Sequence, residues 1–182
     1  CDAECSFVID YERFAPILGR NPSPAGKAEM SQEITLKSLW DDAYAANLDE
    51  PGKLLYRSNL LGSDLRITNF GGGNTSAKVT HKDPLSGEDV QVLWVKGSGG
   101  DIGSMKLDGF ATLYMTKLMQ LRAQYRGLDQ EDAMVEALGH TIFNLNPRAP
   151  SIDTWLHGFV PYTHVDHVHS DAVIAIAASA DQ

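Results

Sequence analysis

The sequence predicts an α/β domain in which helices cover a sheet. Val90 to Val95 is a dense β-branched and aromatic run that suits a well-buried strand. Leu107 to Arg122 carries apolar residues at 107, 110, 111, 114, 118 and 121, and this three- and four-residue spacing predicts an amphipathic helix. Glycine- and proline-rich turns separate further segments of both kinds, so strands and helices interleave as they do in layered domains.

Taken in order, residues 20–33 are polar and Pro-rich and read as a loop or linker. Residues 1–33 are therefore expected to form a leader or partly ordered linker, and 34–182 the domain. A helix is expected next, with Ile34, Leu36, Leu39, Trp40 and Ala43 as its apolar positions. A second helical piece, Lys53 to Leu61, follows Pro51-Gly52 and can turn Leu54, Leu55 and Leu61 to the core. Leu65 and Ile67 mark a short strand candidate. The Gly71-Gly72-Gly73-Asn74 turn separates it from a second, Thr75 to Thr80, and residues 83–89 form a further turn. Glu131 to Leu138 reads as a helix, 144–151 as a break, Asp153 to Phe159 as a short helix and Val165 to Val168 as a strand. Asp171 to Ala178 suits either a capped helix or a strand. Met105, Met115 and Met119 read as core filler.

The length, 182 residues, is that of one globular unit or a fragment of one. Lys and Arg number 15 against 24 Asp and Glu, for a net charge of −9. With no basic stripe, the chain is not expected to bind nucleic acid. A loop of backbone amides can still hold an anion, because it adds nothing to the net charge. The longest nearly apolar stretch, Val173 to Ala180, is far short of the ~20 residues of a membrane span, so no membrane partner is expected. The two cysteines, Cys1 and Cys5, form no disulfide framework, and a reducing, cytoplasmic setting is the simplest expectation. Both ends of the chain read as cut.

His167-Val168-His169 is the sharpest chemical pattern. Side chains at i and i+2 of a strand project to one face, so both imidazoles can converge on one point and ligate a divalent metal such as zinc. His157 or His164 can complete the set, or can simply hydrogen-bond locally. Asp166 is expected to point away from the shared face. Asp153 arrives from another segment and can act as an acid or base, cap its helix, or do both. In Gly71-Gly72-Gly73-Asn74-Thr75-Ser76 the glycines permit a nest of N–H groups, with Asn74 and Ser76 adding side-chain donors for phosphate. A tight turn is the alternative. Lys96-Gly97-Ser98-Gly99-Gly100 is a similar bend, and Ser151 supplies another hydroxyl. Neither glycine segment is a P-loop or a dinucleotide fingerprint.

The segments GGGNTSAK (71–78), VLWVKGSGGD (92–101), RAPSIDTWLH (148–157) and HVDHVHSDAV (164–173) together resemble the class II aldolase/adducin family. Within it they are most similar to the rhamnulose-1-phosphate aldolase half of bifunctional aldolase/short-chain dehydrogenase proteins. The resemblance implies a three-layer α/β/α fold with a largely antiparallel sheet, truncated here at the C-terminus, and a homo-oligomer. It implies zinc or another divalent metal on His167, His169 and a third histidine beyond Gln182, with Asp153 as catalytic acid/base. It further implies a substrate phosphate held by Gly72, Gly73, Asn74, Ser76, Ser98, Gly99 and Ser151. Ile152 stands where simpler aldolases often have a second Ser. The implied reaction cleaves a phosphorylated ketose, L-rhamnulose 1-phosphate, to dihydroxyacetone phosphate and L-lactaldehyde. NAD enters only with a downstream dehydrogenase domain. Another sugar-phosphate aldolase, epimerase or dehydratase of the family, or a non-catalytic adducin-like interaction module, are the alternatives.

Overall fold

The computed structural model describes residues 37–127, 129, 131–143, 146 and 148–179. The leader 1–33 and its boundary with the domain lie outside the described residues. The chain divides into two units, 39–178 and a second made of 1–38 with 179–182. The architecture below is that of 39–178.

Helix α1 (Asp42–Ala45) begins where the Asp41 carboxylate accepts from the Tyr44 amide, leaving 37–41 outside any helix. The helix expected over 34–43 is thereby corrected for its described part: the cap at Asp41 fixes a later start. Helix α2 (Glu50–Ser63) is longer than expected, because Asp49 caps it through the Gly52 amide and Pro51 occupies its first turn. Residues 64–71 are turns and bends, so the strand expected around Leu65 and Ile67 does not form. Asp64 instead accepts the Arg66 amide and the Arg66 guanidinium, a local alternative to strand pairing.

Strands β1 (Asn74–Lys82) and β2 (Asp89–Lys96) form a hairpin closed by Asp83, whose carboxylate accepts from the Leu85 and Ser86 amides. Strand β3 (Phe110–Tyr114) follows a 3-10 turn at Leu107–Gly109, and helix α3 (Met115–Gln124) begins only after it. The single helix expected over 107–122 is therefore wrong in its first half. Phe110, Ala111, Thr112 and Leu113 are all buried, so β3 has no alternation of apolar and polar residues to reveal it. Of the three methionines, Met115 is buried, Met105 packs at the edge of a core cluster and Met119 is 40% exposed. Helix α4 (Glu131–Ala137), a 3-10 turn at Leu138–Thr141, helix α5 (Thr154–Phe159), strand β4 (His164–His167) and helix α6 (Asp171–Ala177) complete the order.

The sheet runs β3-β2-β1-β4, and every pair is antiparallel. Register assigns its two faces. Ser76, Val95 and Ala111 lie on one face with Leu93 and Leu113, and these pack with Met115, Leu118 and Leu138, with Trp155 and Phe159 of α5 against them. Ala77, Trp94, Val92 and Phe110 lie on the other face, packed with Leu54 of α2 and Phe143. Helices thus cover both sides, giving the expected α/β/α layers. Leu93 is fully buried at the centre of the first cluster. Leu93→Ala is expected to cost about 2–5 kcal/mol, read as a lower urea midpoint at unchanged slope.

Candidate active site

The candidate site forms where β1 begins and β4 ends. Asn74 pairs with His167 across these antiparallel strands, so the two side chains share a face. Thr75 pairs with Asp166, which therefore turns to the opposite face, as expected; there it meets Arg57 of α2 at 3.0 Å. His164 lies on that same opposite face, 3.2 Å from the Arg57 guanidinium, and is removed from the histidine pair.

Strand β4 stops at His167, yet the His169 ring returns to the same point. Its Nε2 lies 3.1 Å from Nε2 of His167, with ring centroids 4.7 Å apart. The Gly71-Gly72-Gly73 turn makes this return possible. Gly73 has φ +76°, and a Cβ there would stand 2.7 Å from the His167 carbonyl oxygen. A Cβ on Gly72 would stand 3.0 Å from His169 Nδ1 and 2.0 Å from Asn69 Oδ1. The backbone is tied down by hydrogen bonds from His169 N to Thr68 Oγ1 and from Asn69 N to the His169 carbonyl. Gly72 and Gly73 thus admit the histidine segment. The Gly71 amide donates to Asp101 Oδ1 at 2.9 Å, which ties this turn to the second glycine loop.

Three segments meet beside Asn74. Its amide donates to Ser151 Oγ at 2.9 Å and to the Lys96 carbonyl at 3.2 Å. The Ser98 amide donates to the Ala149 carbonyl, and Gly97 bridges to Pro150 so closely that a Cβ would fall 2.0 Å from Arg148 Cγ. Gly99 and Gly100 have φ of +72° and +81° and face open space. They border a hollow of about 270 Å³ that Lys96, Ser104 and Arg148 also line. Ser76 does not join this group. It is fully buried, its hydroxyl 3.4 Å from the Val165 carbonyl and 2.7 Å from His157 Nδ1, on the side of α5.

Asp153 sits at the N-terminus of α5 without a side-chain capping bond, its Oδ1 4.0 Å from His167 Nδ1. That separation is an electrostatic contact, too long for a hydrogen bond. Lys96 went unrecognised in the sequence. It is 95% buried, and burial pushes its ammonium pKa down against the upward pull of Asp153 and Asp101. A signal for it exists, since Lys96 ends the apolar run Val92 to Val95 at the buried end of a strand.

His157 on α5 is fully buried, and burial, reinforced by the nearby His167, pushes its pKa down to about 4. Above pH 7 both folded and unfolded chains hold this ring neutral. As pH falls from about 6.5 towards 4, the unfolded chain gains a proton that the buried ring refuses, so stability is lost there. The expected loss is up to about 3 kcal/mol, measurable as urea midpoints across pH, and His157→Gln should remove that part of the slope.

Whether a divalent ion fits is decided by the donors. Two nitrogens each about 2.0–2.1 Å from one tetrahedral zinc stand about 3.3 Å apart, close to the 3.1 Å between the two Nε2 atoms. Without an ion, one imidazole must donate to the other at that distance. The pair fits the metal as two of its ligands. Among the described residues, no group of three or more His, Cys, Asp or Glu side chains is arranged to hold a metal.

This fold and site define a class II aldolase-type domain, and the comparisons agree. The family model described as Class II Aldolase and Adducin N-terminal domain matches residues 53–182, and the chain belongs to that family. It is 44% identical over 145 residues to the "Uncharacterized oxidoreductase YuxG" of Bacillus subtilis (strain 168), a match covering 79% of this chain and 21% of that protein. It is also similar to the solved N-terminal class II aldolase domain of a conserved protein from Thermoplasma acidophilum. That likeness has a TM-score of 0.64 and 31% identity, and it covers 83% of this chain and 66% of the other. The chain thus spans about a fifth of the curated relative's length and just under two thirds of the solved neighbour's. No helix among the described residues is long and apolar enough to cross a membrane.

Proposed function

We propose that this domain carries the carbon–carbon bond-cleaving centre of a divalent-metal aldolase acting on a phosphorylated ketose, with L-rhamnulose 1-phosphate as its substrate. The observation that carries the reading is the facing pair of Nε2 atoms on His167 and His169, with Asp153 beside them and a glycine-bordered hollow nearby. His167 and His169 would hold the ion through these atoms, and a histidine from outside the described residues would complete the set. A divalent ion bound there supplies a Lewis acid for the oxygens that gain negative charge as the bond breaks.

The chain's own residues do the rest. Asp153 delivers a proton to the carbon released by cleavage and recovers, over the cycle, the proton that the substrate hydroxyl loses on becoming the aldehyde; the synthetic direction reverses both transfers. We place Ser151, Ser98 and Gly99 as donors to the phosphate, with Asn74 orienting the Ser151 hydroxyl through its amide; Gly72 and Gly73 shape the turn that precedes Asn74. Lys96 brings a buried positive charge to that end of the sheet, and Arg148 lines the same hollow. These groups bind and orient the phosphate end, so their contribution is positioning.

In the longer protein we place a nicotinamide-dependent dehydrogenase domain downstream. The oxidoreductase name of the Bacillus relative, and the small share of it that this chain spans, support that reading. A cytoplasmic homo-oligomer is the form in which we expect it to work. The test is to strip the full-length protein with a chelator, restore zinc, and follow dihydroxyacetone phosphate release across a panel of phosphorylated ketoses. Cleavage that vanishes on stripping and returns with zinc, fastest on L-rhamnulose 1-phosphate, is expected. Metal-independent behaviour with no cleavage of any ketose phosphate would end the proposal, and preference for another ketose phosphate would correct the substrate alone.

A further inference from the structure

Among the described residues, three buried side-chain polar atoms lack a hydrogen-bond partner: Nδ1 of His167, Nε2 of His157 and Oγ1 of Thr154. All belong to the segment that runs from α5 into β4. The His157 and His167 centroids are 6.5 Å apart. Ring atoms lie about 1.2 Å from their centroid, so at least about 4 Å separates the nearest atoms, beyond a direct bond; one water spans nitrogens up to about 5.5 Å apart. Asp153 Oδ1 stands at a similar remove, 4.0 Å from His167 Nδ1.

The surrounding bonds give each ring its proton. The Ser76 hydroxyl lies 3.4 Å from the Val165 carbonyl and 2.7 Å from His157 Nδ1, and we assign its hydrogen to the carbonyl, which can only accept, so that its oxygen accepts from His157 Nδ1. His157 Nδ1 then carries the hydrogen, and its Nε2 is a buried acceptor in need of a donor. His167, if its Nε2 faces an ion, must carry its own hydrogen on Nδ1, a buried donor in need of an acceptor. Donor and acceptor are complementary.

We propose that His157, held by Ser76, is a positioning residue that fixes the tautomer and orientation of His167 through one buried water. That water accepts from His167 Nδ1–H and donates to His157 Nε2 and to Asp153 Oδ1, three partners of the kind that hold an internal water. Metal-ligating histidines generally depend on such a partner at the second ring nitrogen. The proposal gives Ser76 a task distinct from phosphate binding. It rests on the metal reading above.

The test compares zinc affinity, by competition with a chromophoric chelator, in the full-length wild type, His157→Phe and His157→Gln. Phe keeps the ring's bulk and removes both nitrogens, and is expected to weaken zinc binding about 10–100-fold. Gln returns an acceptor near Nε2 and should recover most of that loss. Binding by the Phe variant within about twofold of wild type, or a Gln variant as weak as Phe, overturns the proposal. Should His157→Phe fail to fold, nitrogen-15 NMR of the metal-free wild type decides: His167 should show the Nδ1–H tautomer, and the Nε2–H tautomer would overturn it. A wild type that binds no zinc defeats the aldolase reading, whereas equal binding by wild type and the Phe variant defeats only this one.

Discussion

His167→Ala is expected to remove tight zinc binding and to slow ketose-phosphate cleavage by at least about 10³-fold, several kcal/mol of charge stabilisation. The reason is geometric. His167 and His169 present their Nε2 atoms to one point, and losing one leaves the ion short of the three protein ligands that a catalytic site uses. Both rings are partly exposed at the end of the sheet, so the fold should survive the change. Thermal unfolding followed alongside chelator competition separates the two effects. A folded variant that retains wild-type zinc affinity would show that the pair holds no metal. An adducin-like interaction module would keep its partner binding through the same substitution.

Asp153→Asn is expected to lower kcat about 10²–10⁴-fold, with KM and zinc affinity close to wild type. The carboxylate stands 4.0 Å from the His167 ring and makes no capping bond to α5, so its loss removes a proton carrier while leaving the helix start intact. An amide has nearly the same shape and cannot exchange a proton. A rise in KM at unchanged kcat would instead place Asp153 in substrate binding. A fall in stability of ~1 kcal/mol with normal kcat would reduce it to a helix-terminal residue.

Much of the site was legible because its residues lie in short, unusual patterns. His167-Val168-His169, the glycine turns and Asp153 could each be picked from the sequence, and the fold brings the histidines, Asp153, Asn74 and Ser151 to one end of the sheet. The pairing of Ser76 with His157 was not legible, because His157 lies 81 residues later on another element. Its polar neighbours in sequence suggested a phosphate donor, while its position on β1 places it under α5. Lys96 was passed over because a lysine ending a strand ordinarily reaches solvent, and here the flanking loops bury it. The role of Gly72 and Gly73 also required coordinates. Positive φ was foreseeable, but the approach of His167 and His169 to those two positions was not.

The fold followed the same division. Strand β2, helix α5 and the histidine strand were readable from β-branched density and from turn residues, to within one residue at each end. Strand β3 was not. Phe110 to Leu113 is covered on both faces, by Leu118 and Leu138 on one side and by Leu54 and Phe143 on the other. A run buried on two sides loses its period of two, and the spacing of 107, 110, 111, 114 and 118 then matches a helix by default.

X-ray absorption at the zinc edge of the metal-loaded full-length protein tests the central claim most directly. Two or more imidazole nitrogens at about 2.0–2.1 Å are expected, with imidazole scattering diminished in both His167→Ala and His169→Ala. A zinc shell that neither substitution alters, or one without imidazole scattering, would contradict it.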